Sequence, residues 1–216
     1  MLGMNHATLG ETVFSILRDR ILTGVLKPGD RLLYNVIAAE LSVSLTPIKE
    51  ALLRLEQEGL IQIIPRKGAF VAKIGKRDAI EYTHIRLALE SMAVETICQE
   101  NGASAEETQM LSEINDRLQH AVSENRIQES LELDNEFHKT LVSLSGNSRL
   151  LEIIGQMPLL NICAAVGAEY YVIRSGKTIV NTHAAIVEAV RQRDAVAAKQ
   201  FLKDNILTPI LSILSE

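Results

Sequence analysis

Residues Leu41 to Ile61 read L-S-V-S-L-T-P-I-K-E-A-L-L-R-L-E-Q-E-G-L-I. The stretch holds the end of one short helix, a tight corner, and a second, amphipathic helix. Ser44 suits the N-cap of that second helix. Pro47 falls in its first turn, where a missing N–H loses no hydrogen bond. Ile48, Ala51, Leu52 and Leu55 recur at helical spacing and predict a buried stripe, and Gly59 ends the helix. With that stripe turned inward, Leu45, Thr46 and Lys49 project outward from the first turn, placed to face something other than a core.

The flanking sequence completes a motif. Val13, Ile16, Leu17, Ile21 and Leu22 predict a helix over Thr12 to Thr23, closed near Gly24. Lys27-Pro28-Gly29-Asp30 reads as a turn, followed by a short helix through Val36, Ile37, Ala38 and Leu41. Beyond Gly59, Leu60 to Ile64 and Ala69 to Ile74 are rich in β-branched residues, and Pro65-Arg66-Lys67-Gly68 reads as the turn of a two-stranded hairpin. Helix, helix, corner, helix and hairpin is a winged helix-turn-helix, in which the N-terminal turn of the last helix enters the DNA major groove. That helix end also offers unpaired N–H groups to a phosphate. Leu45, Thr46 and Lys49 are thus candidate DNA contacts, with Arg66, Lys67 and Gly68 at the hairpin tip. Taken singly, Lys49, Arg66 and Lys67 read as ordinary solvated charges; the whole arrangement favours DNA.

The net charge of −5 argues against a polyanionic partner only as an average. Residues 1–77 carry 11 Lys/Arg against 7 Asp/Glu, and residues 78–216 carry 11 against 20. One basic segment joined to one acidic segment is the asymmetry expected when a single domain meets nucleic acid. No apolar run is long enough to cross a bilayer, so no membrane partner is expected. The opening M-L-G-M-N-H-A lacks the pattern of a signal peptide, and the expected location is the cytoplasm. Cys98 and Cys163 lie far apart in apolar helical stretches and read as reduced core thiols.

After Lys76-Arg77 the texture becomes helical throughout, without repeats. The domain boundaries expected are 1–75 and 76–216. The fold class expected is mainly α, with an antiparallel six-helix bundle following the winged helix-turn-helix. The bundle helices start with Asp78 to Glu100. A second opens on the Ser104-x-x-Glu107 capping box, and a third runs from Ile127 to Leu144. A fourth is capped by Asn147 and bends at Pro158, a fifth spans Lys177 to Gln192, and a sixth runs from Asp194 towards Pro209.

Polar residues interrupt the inward stripes of these helices. Asp134 and His138 fall between Leu131 and Leu141, and His183 falls between Ile179 and Ile186. Asn205 follows Ala198, Phe201 and Leu202, and Arg86 sits in a stripe read as Tyr82, Leu89 and Ala93. A buried ion without a partner costs several kcal/mol, so such groups should be paired or bound to a metal. Asp134 and His138, four apart, share one helix face, and His183 supplies a third ligand for a divalent transition metal such as zinc, nickel or manganese. The plainer reading of Asp-x-x-x-His is an ion pair or a core hydrogen bond; the inward position of His183 favours the metal. Arg86 reads either as an ion pair with Glu90 or as a fork for a ligand carboxylate. His84 and His120 carry no comparable pattern.

Several segments resemble the GntR family of bacterial transcription regulators, specifically its FadR-type members with an all-helical FCD effector domain. They are Ile21 to Leu32, Val43 to Leu52, Leu55-Glu56-x-Glu58-Gly59-Leu60 and Pro65 to Val71. In the second half they are Arg86-x-x-x-Glu90, Asp134-x-x-Phe137-His138-x-x-Leu141, Gly146-Asn147-x-x-Leu150 and His183-x-x-Ile186-x-x-Ala189. The short second half looks like the VanR-like subgroup. The resemblance implies a homodimer, not an enzyme, that binds a palindromic double-stranded DNA operator and responds to a small organic acid. It also implies a metal held by one Asp and three His, with the acid's carboxylate completing the coordination and Arg86 pairing an effector carboxylate. Asp134, His138 and His183 match the first three ligands, while Asn205, a poorer ligand, stands where the third His would be. Leu45 stands where the family usually has Arg, and Lys49 where Arg is frequent. Leu45 contacts a thymine methyl rather than forking a guanine, so a different operator is expected. Two other readings stay open: a small metal-dependent hydrolase, which lacks an obvious general base, and a DNA-binding dimer without an effector.

Overall fold

In a computed structural model of the chain, residues 8–73, 75–99, 102–157 and 168–214 are described. The chain divides into two compact units, Met1–Ile74 and Gly75–Glu216.

The first unit starts with α1 (Leu9–Leu22), which opens on a capping box. The Thr8 hydroxyl accepts from the Glu11 N–H at 3.2 Å, and the Glu11 carboxylate accepts from the Thr8 N–H at 2.8 Å. Asp30 closes the next turn by accepting the Lys27 N–H at 2.8 Å. Gly29, at φ +90°, donates its N–H to the Val71 carbonyl at 2.9 Å. Only glycine adopts that backbone readily. The turn lays a strand, β1 (Arg31–Leu32), beside the hairpin. At two residues it is too short for periodicity to reveal. The wing is therefore a three-stranded antiparallel sheet of order β1-β3-β2, not the expected two-stranded hairpin. β2 (Ile61–Ile64) pairs with β3 (Gly68–Val71) from Ile61 opposite Val71 to Ile64 opposite Gly68. The strand expected to reach Ile74 stops at Val71; position 74 lies outside the described residues.

Between them, α2 (Tyr34–Leu41) ends at Ser42 in the left-handed region, and α3 (Leu45–Gln57) follows the corner. Ile48, Ala51, Leu52 and Leu55 are wholly buried, and α3 packs on α1 and α2. Burying each of the larger side chains stabilises the fold by ~1.5–3 kcal/mol. Ser44 takes the N-cap position, but its side chain makes no cap hydrogen bond among the described residues. The N–H groups of this helix end are thus left for another acceptor.

The second unit holds six helices among the described residues: α4 (Lys76–Gln99), α5 (Ala105–Ser123), α6 (Ile127–Ser143), α7 (Ser148–Gly155), α8 (Ala168–Arg191) and α9 (Ala195–Leu214). Its caps are legible in the sequence. Ser104 and Glu107 form the expected box, Asn147 accepts the Leu150 N–H at 3.0 Å, and Asp194 accepts from Val196 and Ala197. α8 begins at Ala168 instead of Lys177, because Ser175-Gly176 does not break it. A Cβ on Gly176 would lie 2.7 Å from Val122 Cγ1, so the glycine permits close approach of α8 to α5. α9 runs on past position 209, and the bend expected at Pro158 lies outside the described residues. α8 packs on α5 and α9, α9 on α4, and α5 on α6, while α4 also reaches α6 and α7.

One expected stripe shifts. Tyr82 is 36% exposed, and the inward row of α4 runs Ala79, Thr83, Arg86, Glu90, Ala93. The row advances by three and four residues, so Thr83 takes the inward place and Tyr82 turns out. Cys98 is a buried thiol; Cys163 lies outside the described residues. No helix among the described residues is long and apolar enough to cross a membrane.

Candidate functional site

Two helices bring ligand atoms to one point inside the bundle. α6 contributes Asp134 and His138 one turn apart, and α8 contributes His183. Both histidines are fully buried, and Asp134 nearly so. His138 Nε2 and His183 Nε2 face each other at 3.2 Å, and Asp134 Oδ1 lies 3.5 Å from the second and 3.8 Å from the first. One oxygen or nitrogen from each residue falls within 4.8 Å of the other two. At metal bond lengths of about 2.0–2.2 Å, two ligand atoms stand roughly 3 Å apart at a right angle and roughly 3.4 Å apart in a tetrahedron. Asp134 Oδ1 is buried without a hydrogen-bond partner among the described residues. Three donors at such spacing, one of them an orphaned carboxylate oxygen, fit a divalent cation.

A second ring of contacts holds the first. α4 sends Glu90 to His138, with Oε2 2.5 Å from Nδ1, while Glu90 Oε1 accepts from Arg86 Nε at 2.6 Å. α5 sends Asn115, whose Oδ1 lies 3.2 Å from His183 Nδ1. Phe137 stacks on the His183 ring, with centroids 3.7 Å apart and planes 11° from parallel. Burial pushes the Glu90 carboxyl up, but the charges of His138 and Arg86 and the hydrogen bonds from both override it and bring the pKa to about 2. His183 is pushed well below its ordinary value, first by burial and then by His138 and Arg86. Its ring is therefore neutral, the form that binds metals. Asn205 is buried as expected, but its amide nitrogen donates to the Ile179 carbonyl at 3.3 Å and the Thr182 hydroxyl at 2.8 Å, tying α9 to α8.

Two family models match the chain: that of the bacterial regulatory proteins of the gntR family over residues 9–71, and that of the FCD domain over residues 81–207. The chain belongs to the GntR family of transcription regulators. The HTH-type transcriptional regulator YdhC of Bacillus subtilis is 30% identical over 189 residues, which cover 87% of this chain and 83% of that one. The HTH-type transcriptional regulator McbR of Escherichia coli is 32% identical over 154 residues, 71% of this chain and 69% of the other. The solved structure of E. coli McbR/YncC superposes at a TM-score of 0.73, with 24% identity over 97% of this chain and 99% of that one. A GntR regulator from Rhodococcus sp. RHA1 gives 0.72, with 24% identity over 95% and 97%. At such identity the superpositions speak for the fold: a mainly helical chain with a winged helix-turn-helix and a helical FCD domain.

In this GntR head the candidate contacts all lie at the surface. Leu45 is 41% exposed, and Thr46 and Lys49 are exposed with it at the start of α3. Arg66 and Lys67 are exposed at the hairpin tip, and Gly68 is half-buried. Arg66 adopts φ +66° and Gly68 φ +106°, the conformations that turn the chain between β2 and β3. In the FCD domain, sequence reasoning passed over Asn115 and the bond from Glu90 to His138. The signal for Asn115 was present: it falls on the stripe of Leu111 and Leu118 as a polar interruption, like the residues that were noticed.

Proposed function

We propose that this GntR regulator binds a palindromic operator as a homodimer in the cytoplasm and changes its hold on DNA when a small organic acid enters the FCD domain beside a bound metal. The observation that carries the sensing half is the convergence of Asp134 Oδ1 and the two imidazole Nε2 atoms in a buried interior. Asp134, His138 and His183 would hold a divalent ion of the zinc, nickel or manganese class, for which mixed oxygen and nitrogen ligands are suited. When bound, such an ion supplies a Lewis-acidic centre for a carboxylate oxygen. Asn205 clamps α9 to α8 through its amide nitrogen, and its side-chain oxygen is a candidate further ligand. Arg86, held by Glu90 through Nε, presents the planar cation that pairs with an effector carboxylate.

On the DNA side, Leu45, Thr46 and Lys49 would enter the major groove, with Arg66, Lys67 and Gly68 of the wing against the backbone. Thr46 and Lys49 lie three apart on one exposed helix face, and the uncapped α3 N-terminus favours a phosphate. Effector binding acts as a population shift, favouring one arrangement of the dimer over that which fits the operator half-sites. The test is operator binding by fluorescence anisotropy against a carboxylic acid panel, in wild type and His183→Ala, with metal content measured in parallel. The expected result is near-stoichiometric metal and an acid-dependent affinity in wild type, both reduced in the variant. Equal metal content in the two proteins would remove the site assignment.

A further inference from the structure

The two histidines that face each other are each held from behind by a different neighbour. Asn115 Nδ2 donates to the Val180 carbonyl at 3.1 Å. A carbonyl only accepts, so the other amide atom, 3.2 Å from His183 Nδ1, is the oxygen, and it too only accepts. His183 Nδ1 must therefore carry a hydrogen. A neutral imidazole has one N–H, so His183 Nε2 is left as a lone pair. Glu90 likewise places a hydrogen on Nδ1 of His138. Its Oε1 receives the Arg86 N–H, and Oε2 of that carboxylate accepts from Nδ1 at 2.5 Å. His138 Nε2 is then the ring nitrogen turned towards the site, and it offers a lone pair whenever the ring is neutral. The two Nε2 atoms stand 3.2 Å apart beside Asp134 Oδ1, which has no hydrogen-bond partner among the described residues, so three potential ligand atoms are aimed at one point.

We infer that Glu90 and Asn115 are positioning residues that lock His138 and His183 in the Nδ1–H tautomer, so that both Nε2 atoms are presented to one cation. Tautomer and ring orientation are what a metal ligand's outer partner controls. This inference rests on the metal reading for its purpose, while its chemistry follows from the hydrogen bonds at the two Nδ1 atoms.

The experiment uses the full chain labelled with ¹⁵N-histidine, read by long-range ¹H–¹⁵N correlation without metal and with Zn²⁺, alongside Zn²⁺ titrations by competition. Of five histidines, the exposed His84 and His120 serve as internal references. Wild type should show a protonated Nδ1 on both His138 and His183, and Zn²⁺ should move only their Nε2 signals. Asn115→Leu should lower Zn²⁺ affinity roughly 10–100-fold. It should also release His183 towards the Nε2–H tautomer that an unconstrained side chain favours, with His138 unchanged. Asn115→Asp restores an acceptor for Nδ1–H and should recover most of the affinity, which a merely structural role would not produce. Glu90→Gln provides the parallel reading at His138. An Nε2–H tautomer on either ring in metal-free wild type overturns the inference, as does Zn²⁺ affinity unchanged in Asn115→Leu. If both Nδ1 atoms are protonated yet wild type takes no Zn²⁺, the tautomer lock stands and the metal reading falls.

Discussion

The head and the bundle are both mainly helical, yet their interiors are built on different terms. In the head, α3 buries Ile48, Ala51, Leu52 and Leu55 and carries Leu45, Thr46 and Lys49 on its outer side. Folding and recognition use different side chains of one helix, so each can change without the other. In the bundle, Arg86, Glu90, Asn115, Asp134, His138 and His183 are buried together. The side chains assigned to sensing also compose the core, and any change to the site is a change to stability. An interior of this kind is tolerable only when every charge has a partner, and Glu90 serves two at once.

The largest expected effect tests that dependence. Arg86→Met removes one member of a buried pair and leaves Glu90 with His138 alone, at a cost of about 3–5 kcal/mol to the bundle. Denaturant unfolding should show it as a lower midpoint, and the further change Glu90→Gln should recover part of the loss. A single variant as stable as wild type would mean the pair is solvated, and the contrast between the two interiors would disappear.

The head should answer differently. Leu52→Ala should destabilise it by about 2–5 kcal/mol, through lost burial and the cavity left behind. Metal content should be unchanged, because none of the proposed ligands Asp134, His138 and His183 lies in that unit. Loss of metal in this variant would break the separation between the two units' roles. The recognition face gives a smaller and cleaner reading. Lys49→Ala and Arg66→Ala should leave the melting temperature almost unmoved, as exposed substitutions do, within about 0.5 kcal/mol. Each should weaken operator binding and flatten the dependence of log affinity on log salt by about one if it meets a phosphate. An unchanged salt slope in both would remove those side chains from the interface.

How much of this was legible in the sequence follows the same division. The head's stripe, corner and hairpin turn follow from local spacing and turn chemistry, so Ile48 to Leu55 and Pro65 to Gly68 were placed correctly. β1 was not, because Arg31–Leu32 is fixed by hydrogen bonds from Gly29 and Val71 across the chain, which no local pattern encodes. In the bundle, the inward positions of Asp134, His138, His183 and Asn205 could be read one helix at a time. Which polar groups meet depends on how helices pack. Asn115 reaches His183 across 68 positions of sequence, and Glu90 reaches His138 across 48. Asn205 shows the same limit from the other side. Its position was foreseen, while its bonds to Ile179 and Thr182 depend on how α9 lies against α8.

Cys98 offers the smallest effect and the sharpest internal control. Like Glu90 it lies in α4 and is buried, but among the described residues the charges that act on it are those of Asp194 and Lys199. Burial pushes its thiol up, the Asp194 carboxylate adds to the shift, and Lys199 only partly opposes it. Glu90, buried in the same helix, moves the other way because cations surround it. The fold thus favours the protonated thiol. Its contribution to stability is full below the unfolded value near 9.0 and declines as pH rises above it, since only the unfolded chain then releases the proton. In a Cys163→Ser background, alkylation of native protein by iodoacetamide should be slower than that of urea-unfolded protein, with its onset at higher pH. Asp194→Asn keeps a helix-capping side chain while removing the charge, and should shift that onset back towards lower pH. An onset that is the same in folded and unfolded protein would show that this wall of the bundle is as open to water as the surface, and that burial alone does not set the direction in which its groups ionise.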